Sequence, residues 1–257
     1  MRLGICTSPE KAQLVKKAGF DYYEFQVFAV HDAGEEQFSS WLELQQRAGI
    51  KSEAMNCMLH QRYQVTGPKA DLSAIKTYLK KTIPRCAKMG TETIVFGSAW
   101  SRNMPEGFSD RQKAYSQIVE YLHLASDICG EQGIKIAIEP LGAPVTNIVT
   151  FVSEGNYLCH LTQRDNVRLL VDLFAVVLNY ENCRECMAGY APMLEHLHFC
   201  AFDRRYPRLD DGCDYNDFFE GVKAADYNGR ISVEATHNGD EYEDMVQAMA
   251  VFKKYLR

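Results

Sequence analysis

Short apolar runs alternate with longer amphipathic stretches along the whole chain. The runs are rich in β-branched and aromatic residues, and eight are predicted as strands: residues 2–6, 22–26, 51–57, 92–97, 134–139, 167–172, 195–200 and 230–235. Between them the period lengthens. Over residues 110–130, Ala114, Ile118, Leu122, Ala125 and Cys129 recur every three to four positions, which places them on one helix face. Gly19, Gly49, Gly90, Gly133 and Gly229 stand just ahead of strands, where a preceding helix is expected to stop. The stretches AGFDYYEF, AGIKSEAM, MGTETIVF and QGIKIAIE repeat one module of helix stop, turn and strand.

Eight strands alternating with eight helices predict a parallel sheet with right-handed crossovers. At 257 residues the economical closure is a (β/α)8 TIM barrel, read as a single domain over residues 1–257. A doubly wound open sheet is the rival. It lacks support because no G-x-G-x-x-G follows the first strand, and Gly4 lies inside that strand. No linker, low-complexity tract or charge block divides the chain.

Composition narrows the partners. With 28 basic and 34 acidic residues the formal net charge is −6, and no basic run supplies a footprint for nucleic acid. The opening MRLGICTSPEK lacks the apolar stretch of a signal peptide, and LLVDLFAVVLNY is too short and interrupted to span a membrane. The nine cysteines are irregularly spaced, mostly within apolar runs, as expected for reduced thiols in a cytoplasmic protein.

The chemistry sits at the ends of the last four predicted strands. Glu139 follows Ile138, Asp172 follows Val171, His198 lies between Leu197 and Phe199, and Glu234 lies between Val233 and Ala235. Strand side chains alternate between faces, so apolar neighbours packing outward leave all four polar residues facing the barrel axis. Barrel enzymes place their sites at this end. Three carboxylates crowded there repel one another unless a cation neutralises them. Three oxygen donors and an imidazole suit one divalent cation: Mn²⁺, Co²⁺, Mg²⁺ or Zn²⁺. Taken singly, each is also an ordinary polar residue at a strand end.

The order Glu, Asp, His, Glu resembles the xylose isomerase-like superfamily of sugar isomerases and epimerases, particularly its ketose 3-epimerase branch. GFDYYEF (19–25), FGSAWSRNMPEGF (96–108), IAIEPL (136–141), LLVDLF (169–174), HLHF (196–199) and ISVEA (231–235) carry the resemblance across almost the whole chain. It implies that Glu139 and Glu234 both hold the metal, with Mn²⁺ the first choice, and exchange protons with a sugar through an enediolate. Asp172 and His198 then hold the metal only. Proton return to the opposite face of the same carbon gives an epimer, and return to the neighbouring carbon gives an isomer. The resemblance further implies that Arg204 contacts substrate oxygens, and that the chain assembles as a homodimer or homotetramer. Two family positions differ: a frequent substrate-contacting histidine is Ala175 here, and a frequent glutamate is Val145, although Asn147 is kept. Endonuclease IV-type barrels share the architecture, but their additional histidines include one at the Ala175 position.

Other candidates are weaker. Trp100 and Arg102 follow strand four, where they cover the barrel mouth as a lid or Trp100 simply packs against a neighbouring loop; His60 and Arg62 follow strand three as further substrate contacts. His237 lies three residues past Glu234, as a mouth residue or a solvated one. His196 shares the parity of His198 one layer deeper and reads as a buried, hydrogen-bonded histidine. Cys183 and Cys186 form C-x-x-C without the second pair a zinc site needs, within a helical pattern. The leading reading is a metal-dependent isomerase or epimerase on a small sugar or sugar phosphate. The alternatives are a keto-sugar or inosose dehydratase or lyase on the same site, and a non-catalytic sugar-binding barrel or helper subunit.

Overall fold

The computed structural model describes residues 1–237 and 239–256. Its elements run β1 (Arg2–Cys6), α1 (Ala12–Ala18), β2 (Tyr22–Gln26), α2 (Val27–Asp32), α3 (Glu35–Ala48), β3 (Ala54–Asn56), α4 (Leu72–Lys88), β4 (Thr93–Phe96), α5 (Ala99–Arg102) and α6 (Arg111–Gly130). They continue with β5 (Lys135–Ile138), α7 (Val152–Thr162), β6 (Val167–Asp172), α8 (Leu173–Leu178), α9 (Cys183–Gly189), β7 (Leu194–Phe199), α10 (Asn216–Ala224), β8 (Arg230–Val233) and α11 (Glu241–Tyr255). The strands pair in parallel in chain order, and β1 closes onto β8, so the expected TIM barrel is present.

Strand alternation divides the interior in two. Ile94 and Phe96, Ile136 and Ile138, Leu169 and Val171, Leu197 and Phe199, and Ile231 and Val233 point outward into one large core shared with the helices. Val95, Ala137 and Leu170, of the opposite parity, form a separate small cluster inside the barrel. Around that inner layer, the Tyr22 and Ser232 hydroxyls share a hydrogen bond of 2.8 Å. Below it, at the N-terminal end of the strands, Arg2 and Arg230 meet Glu53, and Lys135 meets Glu195 at 2.8 Å. The upper layer is polar and carries the site.

The structure departs from the sequence reading in detail. The predicted strand 51–57 shrinks to Ala54–Asn56, and Glu53 just before it turns its carboxylate to Arg2 and Arg230. There are eleven α-helices among the described residues instead of eight, because the segments after β2, β4 and β6 each hold a short extra helix. Gly19 and Gly49 do end helices in the left-handed conformation, with φ of 97° and 62°. Gly229 serves another purpose: a Cβ there would lie 2.4 Å from the Tyr227 hydroxyl, which accepts from the Arg230 amide.

Gly4 is required for a related reason. A Cβ on Gly4 would sit 2.2 Å from the Tyr22 ring inside the barrel. Gly4→Ala should therefore destabilise the fold by about 1–3 kcal/mol through overpacking. Chemical denaturation tests this, and Tyr22→Ala should relieve most of the loss in the double variant, whereas Tyr22→Phe should not.

Candidate active site

Four side chains from four consecutive strands meet at the C-terminal mouth. One ligand atom from each of Glu139, Asp172, His198 and Glu234 lies within 4.8 Å of the other three. Asp172 and His198 stand side by side in the β6–β7 register. Glu139 and Glu234 lie one residue beyond β5 and β8, but their amides still donate to Phe96 and Phe199, at 3.2 and 3.1 Å. The ladder thus extends far enough to keep their inward parity. His198 Nδ1 faces Glu139 Oε1 at 2.9 Å and Glu234 Oε2 at 3.1 Å. Asp172 does two jobs: one carboxylate oxygen accepts from the Phe174 amide at 3.0 Å and caps α8, and the other faces the site.

Arg204 closes one side. Its guanidinium donates to Asp172 Oδ2 at 2.8 Å and to Glu234, with Phe174 beneath it at 5.0 Å. The backbone that aims it is unusual, with φ of 69° at a non-glycine residue. Neighbouring strand ends hold it there: the Arg204 amide donates to Ala201, and its carbonyl accepts from Thr236 at 2.8 Å.

Burial and charge oppose each other throughout the cluster. Burial pushes Glu139 upward, and nearby Glu234 adds to this against the attraction of His198. Burial likewise raises Asp172, although Arg204 opposes it. Burial also works on Glu234, but His198 and Arg204 outweigh it and leave that carboxyl lowered. Burial alone would lower His198; Glu24, Glu234 and Glu139 instead hold it well above the ordinary imidazole range.

This donor set fits a divalent cation. It offers three oxygens and an imidazole nitrogen aimed among them, and the wall opposite Glu139 is cut back to make room. That wall is Gly97, where a Cβ would lie 1.7 Å from Glu139 Oε2.

A family model described as a xylose isomerase-like TIM barrel matches residues 12–255. The chain belongs to this family. By sequence it is 22% identical over 196 residues to D-psicose 3-epimerase from Agrobacterium fabrum, covering 75% of this chain and 67% of that protein. It is also 23% identical over 143 residues to a putative hydroxypyruvate isomerase from Xenopus laevis, covering 54% of this chain and 50% of that one. By structure it overlays on D-psicose 3-epimerase crystallised with D-fructose at a TM-score of 0.87 and 17% identity, covering 100% of this chain and 99% of that one. It overlays equally completely on 3-keto-D-glucoside 4-epimerase from E. coli, at a TM-score of 0.83 and 15% identity with 99% of both chains covered.

Within this xylose isomerase-like barrel the outlying candidates take varied places. Arg102 is fully buried, and its guanidinium donates to the Phe96 carbonyl at 2.9 Å and the Val149 carbonyl at 3.3 Å. It is therefore a brace between the ends of β4 and the loop after β5, not the lid residue expected from its loop position. Burial lowers its pKa to about 10, against the pull of Glu139. Trp100 is 43% exposed, and its indole donates to the Leu59 carbonyl at 3.0 Å, tying the loops after β3 and β4 together. His60 is half-buried, packed edge-on against Phe28, with Asp32 at 3.9 Å. Arg62 instead reaches His31 at 3.1 Å. His237 stacks on Tyr206 and approaches Asp244 at 3.3 Å. Cys183 and Cys186 lie on α9, and all nine cysteines are free. Ala175 is buried and Val145 exposed, so neither supplies a polar group to the mouth.

One residue escaped the sequence reading. Glu24 of β2 is 1% exposed; Oε1 lies 3.0 Å from His198 Nε2, and Oε2 lies 2.8 Å from His196 Nε2. Its signal was a lone carboxylate inside the otherwise apolar run YYEF, with the parity of the interior face. His196 is fully buried, as its position one layer below His198 predicts.

The cut-back wall yields a test. The atom that a Cβ at position 97 would meet is the far end of the flexible Glu139 side chain. Gly97→Ala should thus turn the carboxylate away while leaving the barrel folded. We expect a melting temperature within a few degrees of wild type and at least about a tenfold loss of divalent-cation affinity. Unchanged affinity in calorimetry would show that Glu139 does not depend on this space.

Proposed function

We propose that the chain is a metal-dependent carbohydrate isomerase or epimerase that moves a proton at the carbon beside a sugar carbonyl. The observation that carries this reading is the convergence of Glu139, Asp172, His198 and Glu234 from consecutive strands within 4.8 Å. The names of the relatives, sugar epimerases and isomerases, support the substrate class. A divalent cation held by these four residues, Mn²⁺ first among Co²⁺, Mg²⁺ and Zn²⁺, supplies Lewis acidity toward a carbonyl and its neighbouring hydroxyl.

The protein's own groups then divide the work. Glu139 and Glu234 approach His198 Nδ1 from the ends of β5 and β8, with β6 and β7 between them. Carboxylates so placed address opposite faces of one carbon. One takes the proton as the C–H electron pair shifts toward the carbonyl oxygen and an enediolate forms. The other returns a proton to the opposite face, giving the epimer; return at the adjacent carbon gives the aldose or ketose isomer. Arg204 is positioned to donate to the developing oxyanion from its place between Asp172 and Glu234. Trp100 and His60 flank the mouth as sugar contacts. Among the described residues no helix is long and apolar enough to cross a membrane. The free thiols support a cytoplasmic enzyme, and a homodimer or homotetramer is the assembly we propose from the family resemblance.

A second reading, elimination of water from a keto-sugar, draws on Ala175 and Val145. A substrate that already carries a carbonyl beside an acidic C–H needs less of a polar wall around its hydroxyls. The mass of the product separates the two readings, since an isomerase conserves it and a dehydratase loses water.

Elemental analysis of purified protein should find about one divalent metal per chain, lost in Glu234→Ala and His198→Ala. Keto-sugars incubated in D₂O should gain deuterium at the reacting carbon, and Glu139→Gln or Glu234→Gln should slow exchange by about 10²–10⁴-fold. Absence of metal after reconstitution, or near-normal exchange in both glutamine variants, would reject the mechanism.

A further inference from the structure

We infer that Glu24 is a positioning residue that sets the tautomer of His198, and with it the nitrogen offered to the cation; this rests on the proposed metal site. An ionised carboxylate only accepts hydrogen bonds. With Oε1 at 3.0 Å from His198 Nε2 and Oε2 at 2.8 Å from His196 Nε2, both imidazoles donate from Nε2. The His198 proton is thereby committed to the deep side of the ring. Nδ1, 2.9 Å from Glu139 and 3.1 Å from Glu234, is then the nitrogen whose proton a cation entering between those carboxylates displaces, and whose lone pair it takes.

The arrangement has features that packing alone does not require. β2 and β7 are not neighbours; β1 and β8 lie between them, so the bond runs across the barrel. Glu24, His196 and His198 are all essentially inaccessible, which leaves no solvent to take over the role of the carboxylate. His196 Nδ1 has no hydrogen-bond partner among the described residues. The polar contact of His196 is with Glu24, and its ring meets that of His198 edge-on at 5.1 Å. His196 therefore acts through Glu24: it occupies the second oxygen and fixes the rotation of the carboxylate, so that the first stays aimed at His198.

Glu24→Gln discriminates, because it preserves size while replacing one acceptor with a donor. Whichever histidine meets the amide N–H must accept from it. If that is His198, its proton moves to Nδ1 and points at the cation position. Calorimetry with Mn²⁺ on metal-free protein should show affinity lowered about 10–100-fold in Glu24→Gln and by a smaller factor in His196→Gln. A purely structural role would lower the melting temperature without this selective loss.

Histidine ¹⁵N spectra of the wild-type protein loaded with diamagnetic Zn²⁺ should show His198 protonated on Nε2 and coordinated through Nδ1. This measurement decides the matter even if Glu24→Gln does not fold. Coordination through Nε2, or unchanged Mn²⁺ affinity in a folded Glu24→Gln whose ¹⁵N spectrum shows His198 protonated on Nδ1, overturns the inference while leaving the metal site standing. Wild-type protein that binds no cation overturns the proposed site and the role of Glu24 together.

Discussion

Four carboxylates buried around one imidazole constrain everything else at the mouth of this barrel. Glu24, Glu139 and Asp172 are almost wholly inaccessible, and the Glu234 side chain is 22% exposed. Burying an unpaired ion costs on the order of several kcal/mol even after relaxation. Two groups answer part of that cost, Arg204 as a permanent cation and His198 through the hydrogen bonds of its ring. His198 touches Glu24, Glu139 and Glu234, and Arg204 touches Asp172 and Glu234. Four acids against two such groups leave an excess of negative charge at one point, which is the physical argument for a divalent cation there.

The barrel makes this concentration tolerable by separating its two faces. Outward residues of β4 to β8 are aliphatic or aromatic and join the helices in one core, so the fold does not rely on the interior for most of its apolar burial. The interior is consequently free to carry polar layers above and below a thin apolar one formed by Val95, Ala137 and Leu170. Local compromises follow from the same demand. Arg204 accepts a left-handed backbone so that its guanidinium reaches two carboxylates, and Gly97 gives up a side chain to admit Glu139. Asp172 divides its oxygens between a helix start and the site.

Much of this was legible in the sequence because strand parity is a local property. A polar residue between apolar neighbours in a strand has one plausible direction, and four such residues in successive strands define a common point. Glu24 obeyed the same rule and was missed because it lies within its strand, between Tyr23 and Phe25, with its histidine partners more than 170 residues away. Arg102 failed for the opposite reason. An arginine in a loop over the mouth suggests a ligand contact, whereas its partners proved to be backbone carbonyls, which composition cannot reveal. The extra helices after β2, β4 and β6 were hidden for a similar reason, since short helices of four to six residues show too little period to be read.

The same distinction separates chemistry from substrate choice. The proposed metal ligands sit on or directly beyond strands, where neighbouring ladders fix the backbone and cross-barrel contacts fix the side chains. Trp100, His60 and Val145 sit on the segments that follow β3, β4 and β5, held by a few bonds such as that from the Trp100 indole to Leu59. Loops of this kind tolerate replacement without disturbing the strands beneath them. Val145 is a departure of this sort, whereas Ala175 is buried within α8; neither is one of the four converging donors. A change confined to such segments therefore leaves the four proposed ligands in place. The proposed donors are thus separable from the departures: Glu139, Asp172, His198 and Glu234 are fixed by the barrel, and Ala175 and Val145 are not among them.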